Sequence, residues 1–118
     1  MNKLTFEDLV YQVVIIVGQD NIPTNGWRNV SKTSKRHCSC GTWLNHWENL
    51  SNHRIYEKCR AVNCNECVDD GCHVENPAIK GEYIVPLCRS HNHHYDEIFS
   101  LEKGTILVSA NKAKTCDK

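Results

Sequence analysis

Eight cysteines and seven histidines in 118 residues make metal ligation the first chemistry to consider. They fall in clusters. In the stretch from Tyr83 to Phe99, the apolar run Ile84-Val85-Pro86-Leu87 leads straight into Cys88, His91, Asn92, His93 and His94. Cys88-x2-His91 and Cys64-x2-Cys67 are spacings at which two donors reach one zinc ion, and Cys59-x4-Cys64 lies in the same range. A strand that passes into a helix after such a knuckle carries its second ligand pair at the helix start, which suits Cys88 and His91. Spacing leaves the first pair open between Cys59 with Cys64 and Cys64 with Cys67. A second group lies upstream. Cys38 and Cys40 precede a segment in which Trp43, His46, Trp47 and Leu50 share one helical face. Cys116 has no cysteine near it in sequence. Cys38, Cys40, His46 and Cys116 together supply the four ligands of a tetrahedral site, which would clip the tail onto the middle of the chain.

Four disulfides are the competing use of eight cysteines. They require an oxidising compartment. The apolar run from Leu9 to Val17 is approached through Glu7 and Asp8, no small-residue cleavage site follows, and the run is shorter than the ~20 residues of a membrane helix. The expectation is a cytoplasmic zinc protein with no membrane segment. Acidic and basic side chains balance at 14 each, so the overall charge does not draw the chain to nucleic acid. A local patch could: Arg28, Lys32, Lys35 and Arg36 fall within nine residues that hold no acid. The commoner fate of such a stretch is a solvated linker.

Thr5 and Asp8 fit a capping box for a helix from Phe6 to Val17, with Phe6, Leu9, Val10, Val13, Val14 and Val17 on one face. The β-branched run Val13–Val17 would also suit a strand. Breakers at Gly18, Asn21, Pro23, Asn25 and Gly26 mark an irregular segment, and Thr42 can cap the short helix carrying His46. Tyr83 to Leu87 reads as a strand, with Pro86 confined to an edge or an end. Residues 89–101 read as a helix, and Thr105 to Val108 as a short strand. The 118 residues are expected to form one domain, with an N-terminal helix and basic linker over residues 1–37 and a zinc-bound core over residues 38–118.

The order Cys59-x4-Cys64, Cys72-His73-Val74, Ile84-Val85-Pro86-Leu87-Cys88 and His91-Asn92, followed by Tyr95-Asp96, resembles the motif of HNH, or ββα-metal, nucleases, across residues 59–99. The resemblance implies an α+β fold, a small zinc-stabilised domain of treble-clef-like ββα-metal type. It implies Cys59, Cys64, Cys88 and His91 as structural zinc ligands, with Cys67 left as a buried filler or an alternative ligand. It places His73 as the general base that takes a proton from water, and Asn92 as the ligand of a catalytic Mg²⁺ or Mn²⁺. Two positions depart from the motif. Cys72 stands where an Asp is usual, and a soft thiol is a poor ligand for a hard cation. Glu82 and Tyr83 stand where an orienting Asn is usual, leaving Glu82 to steady the base.

Two functions follow as expectations. One is a metal-dependent endonuclease acting on nucleic acid, DNA before RNA. The other is a zinc-binding interaction module without catalysis, either an adaptor for nucleic acid or protein, or a small inhibitor or toxin of mobile-element origin.

Overall fold

The computed structural model describes residues 15–16, 22–33, 35–93 and 97–116. Five antiparallel strands form one sheet: β1 (Ile15–Ile16), β2 (Arg28–Asn29), β3 (Asp70–Asn76), β4 (Ile79–Leu87) and β5 (Leu107–Ser109). Their spatial order is β1-β5-β4-β3-β2. Among the described residues, helix α1 (Trp43–Ser51) and the short helix α2 (Arg89–Asn92) accompany the sheet, with a 3₁₀ turn at Lys112–Lys114.

The hairpin β3–β4 is the centre of the fold. It is paired from Asp70↔Leu87 to Glu75↔Glu82, with a register shift before Asn76↔Ile79. Alternation divides its side chains between two cores. Cys72, Val74, Tyr83, Val85 and Leu87 join Trp27, Cys59, Cys88, Leu101 and Leu107. Ile84 joins Val108 and Trp47, with Trp43, Leu50 and Ile106 packed around them. Each buried indole finds a carbonyl for its N–H: Trp27 at Pro23 (2.8 Å) and Trp47 at Ile106 (2.9 Å). Pro86 is tolerated within β4 because β5 reaches only Tyr83 and Ile84. Opposite Pro86 stands Gly71.

Helix α1 starts where the capping residue requires. Thr42 is extended, and its hydroxyl accepts the Asn45 N–H at 3.0 Å. It ends at Asn52, a left-handed residue whose N–H donates to the Glu48 carbonyl at 3.2 Å.

Three expectations are corrected. The N-terminal helix lies largely outside the described residues, but Ile15 and Ile16 form a strand against Val108 and Leu107. Their β-branched side chains favour the pleated state, and the open edge of β5 supplies the partner. The basic linker is not detached either. Arg28 and Asn29 pair with Glu75 and Val74, and Asn29 is buried. Arg28 forms an ion pair with Glu75 at 2.8 Å and Arg36 one with Glu82 at 2.5 Å. Finally, the helix expected over 89–101 stops at Asn92, while Phe99 bridges Trp27 and Leu101 bridges Ala61 in extended pairings. Backbone pairing with Trp27 and Ala61 overrides the local helical pattern there. His94, Tyr95 and Asp96 lie outside the described residues.

Candidate metal centres and the adjoining cleft

The structure brings two sets of four ligand-type side chains together. In each set the donor atoms lie within 4.8 Å of one another. The first set is Cys59, Cys64, Cys88 and His91. The knuckle from Cys59 to Cys64 turns through Asn63, at a positive φ of 65°, and is closed by the Cys64 N–H donating to the Ala61 carbonyl at 3.2 Å. The Arg60 N–H donates to the Pro86 carbonyl at 3.3 Å and fastens the knuckle to the end of β4. Cys88 caps α2, and its sulfur receives the His91 N–H at 3.5 Å. His91 therefore sits in the first turn, with Nδ1 3.2 Å from the Cys88 sulfur and 3.6 Å from that of Cys59. The sulfurs of Cys64 and Cys88 are 3.8 Å apart. A tetrahedral zinc with three sulfurs at ~2.3 Å and one nitrogen at ~2.0 Å has S···S edges of about 3.8 Å and S···N edges of about 3.5 Å. The donor set fits such an ion.

The second set is Cys38, Cys40, His46 and Cys116. Cys38 and Cys40 lie in the turn before α1, His46 lies on its inner face, and Cys116 arrives with the tail after the 3₁₀ turn. The His46 ring is fully buried. Its Nε2 meets the Ser109 carbonyl at 2.9 Å, and Nδ1 lies 3.0 Å from the Cys38 sulfur. A proton on Nε2, donated to that carbonyl, leaves the Nδ1 lone pair facing the sulfurs, the arrangement of a ligating imidazole. Cys38 and Cys116 are 2.9 Å apart, and the Ser39 hydroxyl donates to the Cys116 carbonyl at 3.3 Å.

No disulfide joins any of the eight cysteines. Burial pushes the Cys38 thiol up to about 12, and the Cys116 thiol adds to that rise. Burial also pushes Cys59 up to about 12, against the backbone hydrogen bonds from Cys88 and Ala61, which lower it. Without a cation these buried sulfurs stay protonated, whereas a coordinated cation inverts that preference and holds thiolates. Both sets could therefore hold a metal ion such as zinc. Cys67, weighed as filler or ligand, is neither: it is exposed and belongs to neither set. Cys72 points into the core beside Val74 and Val85, and its thiol is pushed up by burial first, then by Asp70.

Between the start of α1 and the start of β3 opens a cleft of about 390 Å³. His73 and Asn92 both line it, with Arg36, Asp70 and Trp43. Gly71 lets the start of α1 pack directly on β3 at the cleft wall: a Cβ there would meet the Trp43 carbonyl carbon at 2.5 Å and the Leu44 nitrogen at 2.6 Å. His73 projects from β3 on the face away from Cys72. It is 4% exposed, with the Trp43 ring edge-on at 4.4 Å. Its Nε2 is buried with no hydrogen-bond partner. Burial lowers its pKa to about 4, helped by the positive charge of Arg36 and then by His46, so the imidazole is neutral at pH 7. The Asn92 amide donates to the Asp70 carboxylate at 3.3 Å. The neighbouring Asp69 carboxylate accepts the Arg89 N–H at 2.8 Å and fixes the start of α2. Asn29 also steadies this region, donating to the His91 carbonyl.

Sequence reasoning missed Asp70, Arg36 and Trp43 as cleft residues. The signal for Asp70 was the Asp69-Asp70-Gly71 run just ahead of His73. Glu82, assigned to steady the base, instead pairs with Arg36. No helix among the described residues is long and apolar enough to cross a membrane. No protein family, curated protein or solved structure compared with this chain gives a match.

Proposed function

We propose that this chain is a zinc-stabilised protein of the HNH, ββα-metal type, acting in the cytoplasm, that hydrolyses phosphodiester bonds of nucleic acid, DNA before RNA. One observation carries this reading. His73, from the central hairpin, and Asn92, from the helix after the second Cys/His pair, line one cleft together with Asp70. In this account zinc in the Cys59 centre locks the knuckle, the end of β4 and the start of α2, and thereby places Asn92. Zinc in the Cys38 centre holds α1 over β3. His73 is neutral at pH 7 and so can accept a proton from water. The Asp70 carboxylate and the Asn92 amide oxygen are hard donors of the kind that suit Mg²⁺ or Mn²⁺. They compensate for Cys72, whose sulfur faces the core. Such an ion, when bound, would polarise the phosphate and stabilise the departing oxygen.

A second reading, a zinc-binding interaction module without catalysis, is favoured by one specific observation: His73 Nε2 is covered as well as unpartnered. Plasmid DNA incubated with zinc-loaded protein and added Mg²⁺ or Mn²⁺ separates the two. The nuclease reading expects cleavage that falls on the order of 100-fold or more in His73→Ala, as for loss of a general base. Equal cleavage by wild type and variant, or none by wild type at high protein concentration, would assign the interaction module instead.

A further inference from the structure

We infer that the Trp43 side chain is a gate over His73: closed in this structure, it shuts the imidazole off from the cleft, and it swings aside to admit water and substrate. The inference rests on the proposed function for its purpose, but the opening itself can be measured without cleavage.

The closed state carries a fault. His73 lines the cleft and is 4% exposed, yet its Nε2 is buried with no hydrogen-bond partner among the described residues. A histidine settled in a core has partners for its buried nitrogens, because an unpaired one loses its hydration and gains no bond. The Trp43 ring stands edge-on to the imidazole, with centroids 4.4 Å apart and planes at 77°, and lines the same cleft. Movement of the indole lets cleft water reach Nε2. Hydration of that nitrogen then offsets part of the packing the indole gives up. A gated His73 is covered in the resting protein and still takes a proton from water once open.

Surface contacts hold the indole in place. Its N–H donates to the Arg36 carbonyl at 3.3 Å, in an exposed bond. Arg36 is held in turn by Glu82 on β4, through an ion pair at 2.5 Å whose side chains are 43% and 35% exposed. Exposed pairs of this kind hold weakly. Trp47, one turn further along α1, is the contrast: it is fully buried, and its N–H donates to the Ile106 carbonyl at 2.9 Å. Trp43 is half-buried and packs at the margin of the Trp47 core. Its backbone is pressed against Gly71, so the side chain alone is left to move. The indole's other ring neighbour, His46 at 4.9 Å, is anchored at both nitrogens by the Ser109 carbonyl and the Cys38 sulfur. Opening therefore uncovers His73 and leaves His46 protected.

The test is labelling of the zinc-loaded full chain with diethyl pyrocarbonate at pH 7, read histidine by histidine by peptide mass spectrometry. The reagent acylates a neutral imidazole nitrogen that solvent can reach, and His73 is neutral at this pH. Wild-type His73 should label more slowly than the exposed His53. Trp43→Phe removes the latching N–H and keeps an aromatic ring in place. His73 labelling should then rise about twofold to tenfold, as expected for loss of one hydrogen bond, while His46 stays protected. Unchanged His73 labelling in Trp43→Phe, or wild-type His73 labelling as fast as His53, overturns the gate. A joint rise at His46 and His73 means that the variant has loosened α1 as a whole. Glu82→Gln, which releases Arg36 and leaves both cores in place, then decides: a rise at His73 alone upholds the gate, and any other result overturns it. Gated labelling in a protein that cleaves no nucleic acid upholds the gate and removes the nuclease reading. Cleavage by a protein whose His73 labelling ignores both substitutions does the reverse.

Discussion

Replacing Gly71 with alanine probes a close backbone approach between β3 and the start of α1. The new Cβ would lie 2.5 Å from the Trp43 carbonyl carbon, 2.6 Å from the Leu44 nitrogen and 2.7 Å from the Trp43 oxygen. These are backbone atoms of a helix start, so no flexible side chain can swing aside. Restoring ordinary contact at ~3.4 Å requires α1 and β3 to separate by about 1 Å, a distortion of the kind that costs ~1–3 kcal/mol in packed cores. An opposing effect exists: Gly→Ala at an unstrained position stabilises by about 0.4–1 kcal/mol through the unfolded chain. Gly71 has no positive φ, so that gain is available in principle. The clash wins because retreat of α1 also loosens Trp47 over Ile84 and Val108 and shifts His46 against Cys38. The net expectation is a loss of about 2 kcal/mol, large against the ~5–15 kcal/mol of a typical domain. Urea unfolding of the zinc-loaded protein, followed by tryptophan fluorescence, measures it. A variant as stable as wild type, or more stable, refutes the close packing of α1 on β3.

Three further outcomes are expected. Thr42→Ala removes the hydroxyl that accepts the Asn45 N–H and should cost about 1 kcal/mol in the same unfolding assay. The His73 imidazole should remain neutral down to about pH 4 by NMR titration. Its folded pKa lies below the ordinary 6.5, so its contribution to stability is complete above pH 6.5 and is lost as pH falls from there to about 4; His73→Gln should remove that slope, and a wild-type imidazole titrating near 6.5 contradicts the burial argument. Cys116→Ser should lower bound zinc by one ion per chain while the Cys59 centre keeps its own, and unchanged zinc content contradicts ligation by the tail.

Much of the local order was legible in the sequence. The Thr42 cap, the helical face of His46 and Trp47, and the strand running into Cys88 are short-range features, set by side chains a few residues apart. The two Cys/His sets were readable in part: Cys88 and His91 from their spacing, Cys59 with Cys64 only through the family resemblance, and Cys116 as the cysteine left without a near neighbour. What was not legible depends on distant partners. Ile15 and Ile16 carried both helical and strand signals, and the edge of β5 decides between them. Nothing local announces that Phe99 pairs with Trp27 and ends the helical pattern after Asn92. Arg28 and Arg36 are exposed, as expected, but their ion pairs were not legible because the acidic partners, Glu75 and Glu82, lie 46 or more residues away. Asp70 was overlooked because the motif directed attention to Cys72. Cys72 projects into the core, whereas Asp70, at the start of the strand, reaches Asn92.

Two Cys/His sets of the same donor chemistry, each able to hold a metal ion such as zinc, underlie the proposed function. Zinc K-edge X-ray absorption on the purified chain, combined with elemental analysis, tests this most directly. The account predicts two zinc ions per chain, each with on average three sulfurs at about 2.3 Å and one nitrogen at about 2.0 Å. A chain that binds no zinc, or whose zinc carries a shell of oxygens with few sulfurs, would contradict it.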